Sequence, residues 1–217
     1  MEGTQGVEVR IPVGRVGLEG WLDLPAGAHS LVVFAHGSGS SRFSVRNTMV
    51  ARHLGRLGLG TLLFDLLTAL EDRDLSKRFD IGLLTDRLVS VTRWLQGDAR
   101  VSVLRLGYFG ASTGAAAALR AAARLPEVAA VVSRGGRPDL AMEDLHRISC
   151  PVLLLVGGRD TEVIRLNREA LSRMPSPCRL RIVSGAGHLF EEPGALEEVG
   201  RLAGDWFMTH LEPVGSH

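Results

Sequence analysis

Five apolar runs constrain this chain more than any other feature: SLVVFAHG, GTLLFDLL, RLGYFGAS, VAAVVSRGG and CPVLLLVGG. None shows the strict alternation of a strand with one wet face. A strand that is apolar on both sides needs cover on both sides. Between the runs stand segments with a helical spacing of apolar residues, at about Asn47 to Leu57, Ile81 to Leu95, Thr113 to Leu125 and Glu162 to Met174. Apolar strands alternating with amphipathic helices predict an α/β layer sandwich: a mostly parallel sheet of about eight strands with helices on both faces. The run CRLRIVSG is the last strand and ALEEVGRLAGDWFMTHL the closing helix. VEVRIPVG and LEGWLDLP, joined by a glycine-containing turn, predict an N-terminal hairpin. Asp80 is the expected N-cap of the helix from Ile81, and the charged stretch TALEDRDLSKRFD before it reads as a loop. Every connection is short, so residues 1–217 read as a single domain.

Composition narrows the partners. The chain has 217 residues, 45% of them hydrophobic, and a formal net charge of +1. Nothing in that balance draws it to nucleic acid or to an acidic membrane. No segment approaches the roughly 20 apolar residues of a membrane span, and the opening MEGTQGVEVR lacks the features of a secretion signal. A cytoplasmic location follows as an expectation. The polar ending EPVGSH reads as a tail. The two cysteines, Cys150 and Cys178, each open a strand-like run. A disulfide between neighbouring strand ends is geometrically possible, but reduced packing thiols are the expectation in that compartment. No metal-ligand spacing and no cofactor motif is present.

The stretch GYFGASTGAAAAL holds the sharpest chemistry. Ser112 sits where a strand meets a helix, between Gly110 and Gly114. A serine hydroxyl is a weak nucleophile unless it is held in place and a base reaches it. A sharp strand-to-helix turn presents it above the sheet and crowds the positions two before and two after it, where only glycine fits. The backbone N–H of Thr113, at the start of the helix, is placed to meet a developing oxyanion.

In an open α/β sheet, ligands bind at the carboxyl ends of the strands. Of the seven histidines, only His36 and His188 follow such ends. His36 runs straight into HGSGSSR, where a tight backbone loop is the evident purpose, so His188 is the expected base. The acid belongs beside it. Asp160 follows the strand expected to neighbour that of His188, whereas Asp65 follows a strand on the far side of the serine. Asp160 is therefore the expected acid, with Glu162 in reserve.

The chain order of serine, acid and histidine is that of α/β-hydrolases. HGSGSS, GYFGASTG, VGGRDTEV and GAGHLFEEPG together make the chain resemble that superfamily over nearly its whole length, in particular small dienelactone hydrolase-like members. The resemblance implies a second oxyanion donor after the third strand, here the backbone N–H of Ser38. Dienelactone hydrolases proper carry a cysteine where this chain has Ser112, so a generic ester is a more natural substrate than a lactone. The expectation is a serine carboxylesterase that needs no cofactor, acting on a small-molecule ester through Ser112, Asp160 and His188. Thioesterase, lactonase or perhydrolase chemistry with the same triad, and a silent binding module, are the alternatives.

Two further expectations concern the mouth. Only RPDLAMEDLHRIS separates VAAVVSRGG from the next strand, too little for a lid domain, so short acyl groups are favoured. Arg134 and Arg137 bracket two glycines at a strand end beside the nucleophile. Either one reads as a fork for a substrate anion, or as the partner of a nearby acid such as Asp139 or Glu143.

Overall fold

The computed structural model describes residues 6–175 and 177–211. The first five residues and the ending EPVGSH lie outside that range. Eight strands form one sheet in the order β1-β2-β4-β3-β5-β6-β7-β8. The hairpin of β1 (Val7–Val13) and β2 (Val16–Asp23) closes one edge, and β2 runs antiparallel to β4 (Gly60–Phe64). From β4 onward all neighbours are parallel: β3 (Ser30–Ala35), β5 (Arg105–Ala111), β6 (Val128–Arg134), β7 (Val152–Gly157) and β8 (Cys178–Val183).

The apolar runs explain the layers. Strands β3, β4 and β7 are buried at every residue. On one face, Leu62, Tyr108, Val131 and Leu154 pack with Leu88 of α3 (Ile81–Gly97), Leu119 of α4 (Thr113–Arg124) and Ala170 of α5 (Thr161–Leu171). On the other, Phe34, Phe109, Val132 and Leu153 pack with Leu54 of α1 (Val45–Arg56) and Phe207 of α6 (Ala195–Leu211). Alternate residues of one strand thus serve two cores, as the pleat requires. The β6–β7 connection holds only two short 3-10 turns, so no lid domain is inserted.

Side chains set the helix starts. The Asp80 carboxylate accepts the Leu83 N–H at 2.9 Å, as its N-cap role requires. Helix α1 begins at Val45, two residues before the apolar pattern, because the Ser44 hydroxyl caps it through the Asn47 N–H. The charged stretch after β4 is more ordered than the loop expected there. It contains a 3-10 turn, Glu71–Arg73, and a short helix α2, Leu75–Arg78. Glu71 accepts the Thr68 N–H and hydroxyl at 2.9 and 3.0 Å, and Asp74 accepts the Ser76 N–H at 2.9 Å. Capping of this kind is local chemistry that hydrophobic periodicity does not register. Both cysteines are free thiols, and burial pushes Cys150 up to about 11 and Cys178 up to about 12. Among the described residues, no helix is long and apolar enough to cross a membrane.

Candidate active site

The turn at Ser112 is built from its neighbours' lack of bulk. A Cβ on Gly110 would overlap the backbone of Ala115, and one on Gly114 would overlap the carbonyl oxygens of Ala35 and His36. Ser112 itself takes φ 51° and ψ −120°. A residue with a side chain at such an angle is strained by about 1–3 kcal/mol and persists only where the surroundings impose it. Here they do. The Ser112 N–H donates to the Arg134 carbonyl at 3.1 Å, and the Ser112 carbonyl accepts from Ala115 and Arg137. Its side chain makes no capping bond to α4.

Asp160 and His188 come together from the ends of β7 and β8. His188 Nδ1 lies 2.6 Å from Asp160 Oδ2. The carboxylate holds one ring nitrogen, which leaves Nε2 for proton transfer. The His188 loop arches back over the end of β6: a Cβ on Gly135 would stand 3.2 Å from the His188 carbonyl oxygen and 3.6 Å from its Cε1. Gly135 directly follows Arg134, the residue that anchors the Ser112 N–H. Two features of this loop escaped the sequence reading. Both Glu192 oxygens accept the Gly187 N–H at 3.0 Å, bracing the loop from within. Phe190 adopts φ 57° and is buried, so its ring pins the loop to the core.

The loop after β3 is braced on three sides. His36 Nε2 accepts the Leu66 N–H at 3.0 Å, and Nδ1 lies 3.0 Å from the Gly37 carbonyl, which assigns the proton to Nδ1. Burial lowers the pKa of this ring, outweighing the opposing Gly37 bond and the charges of Asp65 and Asp72. Asp65 accepts the Arg42 N–H at 2.7 Å and forms an ion pair with its guanidinium. So the two strand-end residues set aside as base and acid both hold this loop. Its third tie is the Ser38 N–H, which donates to Thr113 Oγ1 at 2.9 Å. The donor expected to face an oxyanion is thus engaged by the side chain of the other expected donor.

The two arginines part company. Arg137 forms a bidentate pair with Asp139 at 2.9 and 2.7 Å, one of the two acids named as its alternative partner. Arg134 is 6% exposed. Its Nη2 donates to Asn47 Oδ1 at 3.4 Å, and its buried Nε has no hydrogen-bond partner. A cleft of about 600 Å³ between β8 and α6, around Arg179, Arg181 and Trp206, is lined by none of Ser112, Asp160 and His188. Among the described residues no cluster of histidine, cysteine and carboxylate side chains is arranged to hold a metal.

Comparison with known proteins follows the same lines. The model of the dienelactone hydrolase family matches residues 69–204. The chain belongs to the dienelactone hydrolase family. Its fold is that of the crystal structure of dienelactone hydrolase from Anabaena variabilis, with a TM-score of 0.94 and 53% identity over 97% of this chain and all of that one. The esterase domain of a Rhodothermus marinus protein shares the fold, at a TM-score of 0.78 with 21% identity over 96% of this chain and all of that one. A Mycobacterium tuberculosis protein named putative phosphoribosyl transferase is 54% identical over 205 residues, 94% of this chain and 46% of its own length. The chain therefore spans about half the length of that relative.

Proposed function

We propose that this family member is a serine hydrolase of carboxylic esters, with Ser112 as nucleophile, His188 as base and Asp160 as the carboxylate that orients it. The single observation that carries the reading is the 2.6 Å contact between His188 Nδ1 and Asp160 Oδ2, at the strand ends beside the strained turn of Ser112. A carboxylate held on Nδ1 fixes the tautomer whose Nε2 accepts a proton, and it stabilises the imidazolium that results.

The steps follow from the parts. His188 removes the proton as Ser112 Oγ attacks the ester carbonyl. The tetrahedral oxyanion is met by the Thr113 N–H, one of the helix donors with no intrahelical partner, and by the Ser38 N–H. Each such donor contributes a few kcal/mol. The Ser38 N–H does so by turning from Thr113 Oγ1, or by sharing its proton with it. The alcohol leaves with the proton from His188, and water then attacks the acyl-enzyme with His188 as base again. No step calls for a cofactor.

The substrate is a small molecule presented at an open mouth. Phe43, Leu70 and Phe79, in the segments after β3 and β4, are 69%, 76% and 59% exposed, so they supply no buried apolar cover for a long acyl chain. The transferase activity in the name of the Mycobacterium relative is not carried over, since this chain matches only 46% of that protein's length.

Fluorophosphonate labelling coupled to an ester panel tests the reading. A single adduct on Ser112, absent in Ser112→Ala, and turnover that favours short acyl chains are expected. A folded protein that neither labels nor turns over any ester or thioester would instead be a binding module on this fold.

A further inference from the structure

An amide side chain buried on the core face of a helix is costly unless it finds hydrogen-bond partners there. Asn167 is such a residue. It lies near the middle of α5 with no exposed surface, on the face that also buries Val163 and Ala170. Asparagine is a weaker helix former than the leucine or alanine that would suit that face. Its Nδ2 donates twice. One bond, at 2.8 Å, goes to the Val163 carbonyl of its own helix, and the other, at 3.0 Å, goes to the Gly136 carbonyl, 31 residues away. Its Oδ1 is buried without a hydrogen-bond partner. The side chain is therefore engaged by what it donates and not by what it accepts.

The Gly136 end of this link is where the strained turn is gripped. Residues 134–137 hold Ser112 from both sides. The Arg134 carbonyl accepts the Ser112 N–H at 3.1 Å, and the Arg137 N–H donates to the Ser112 carbonyl at 3.3 Å. Between those two, the Gly135 N–H donates to the Leu155 carbonyl of β7 at 2.7 Å. Gly136 itself passes so close to α4 that a Cβ on it would stand 2.8 Å from the Cβ of Ala115. The Val163 end of the link lies in the first turn of α5. That helix starts from Asp160 as its N-cap, and the Asp160 carbonyl accepts the Ile164 N–H at 2.9 Å. One side-chain amide thus runs from the helix that begins at the acid to the segment that clamps the nucleophile turn.

We propose that Asn167 is a positioning residue, which keeps the Ser112 turn in register with the Asp160 helix through the Gly136 carbonyl. It touches no reacting atom. Its effect passes through the clamp of residues 134–137, whose two bonds impose the positive φ of Ser112. A shift of about 1 Å in a reacting group, caused from a distance, costs as much as a hundredfold in rate. The role in turnover rests on the hydrolase reading, whereas the grip on the turn does not.

Two measurements test it. The first is hydrolysis of 4-nitrophenyl acetate, with kcat taken per serine titrated by a fluorophosphonate. Asn167→Leu removes both donors at similar size, and Asn167→Asp replaces the donor with an acceptor. Each is expected to lower kcat by about ten- to a hundredfold and to change KM less than about twofold. Ala170→Gly is the control. It places a poor helix former in the same helix and leaves the Gly136 bond in place, so its kcat is expected to stay within about twofold of the wild type. The second measurement needs no turnover. Hydrogen exchange at the Ser112 and Arg137 amides is expected to be roughly tenfold faster in Asn167→Leu and unchanged in Ala170→Gly. Equal kcat losses in Asn167→Leu and Ala170→Gly would make Asn167 a stabilising residue only and overturn the proposal. Unchanged exchange at the two amides, faster exchange with kcat intact, or failure of both Asn167 variants to fold would overturn it as well. If the wild type hydrolyses no ester and the two amides still respond to Asn167 alone, the grip on the turn stands and the hydrolase reading falls.

Discussion

The Ser38 N–H donates to the Thr113 hydroxyl at 2.9 Å, joining two loops whose residues lie 75 positions apart. The bond ties the turn after β3 to the start of α4, the two sources of the proposed oxyanion donors. Thr113→Val removes the acceptor but keeps the shape, leaving a part-buried N–H unsatisfied at a cost of about 1–3 kcal/mol. A lower melting temperature and a roughly tenfold lower kcat are expected, with Thr113→Ser restoring both. A rise in kcat in Thr113→Val would show instead that the hydroxyl competes with the oxyanion for the donor.

The positive φ of Ser112 makes a stability prediction separate from catalysis. Ser112→Ala and Ser112→Gly should both abolish fluorophosphonate labelling. They should differ in stability, because glycine alone adopts φ 51° and ψ −120° without strain. Relief of about 1–3 kcal/mol of strain exceeds the 0.4–1 kcal/mol that glycine's greater unfolded freedom costs. Urea unfolding is expected to place Ser112→Gly about 1 kcal/mol above Ser112→Ala. Equal midpoints would mean the turn is not under strain.

The acid is testable against its near neighbour. Asp160 contacts His188, whereas Glu162 is paired with Arg165 at 2.7 Å on the exposed face of α5. Asp160→Asn is expected to lower kcat by about 10³–10⁴-fold, as when an orienting carboxylate is replaced by an amide. Glu162→Gln should change it less than twofold. The reverse ranking in steady-state kinetics would reassign the acid.

His36 makes the fold sensitive to mild acid. Its folded-state pKa lies below the ordinary 6.5, because burial disfavours the charged ring. The unfolded chain therefore takes up the proton first, so this contribution to stability is complete above about pH 6.5 and is lost as pH falls below it. Protonation of Nε2 would also end its bond to the Leu66 N–H. The melting temperature should fall from pH 7.5 to pH 5, and His36→Gln should show a shallower fall. Parallel curves for the two proteins would place the acid sensitivity elsewhere.

Much of this was legible in the amino-acid order because it depends on local chemistry or on chain topology. Apolar runs identify fully covered strands. The glycines around Ser112 are demanded by a turn only a few residues long. Asp160 and His188 follow from which strand ends lie side by side, and topology decides that with few alternatives.

What the tertiary structure alone decided is which partner each polar group finds. Arg134 and Arg137 look alike in SRGGRPDL. Arg137 meets Asp139 two residues on, while Arg134 reaches Asn47 of α1, 87 residues away, and meets no carboxylate among the described residues. His36 and Asp65 both stand at strand ends, where catalytic groups occur, yet their neighbours turn them into braces for the loop of Ser38. The hydroxyl of Thr113 carries no sequence signal of its bond to that loop. Hydrophobic pattern records which side of an element is buried. It does not record which donor lies opposite which acceptor, since that depends on residues brought within about 3 Å from distant parts of the chain.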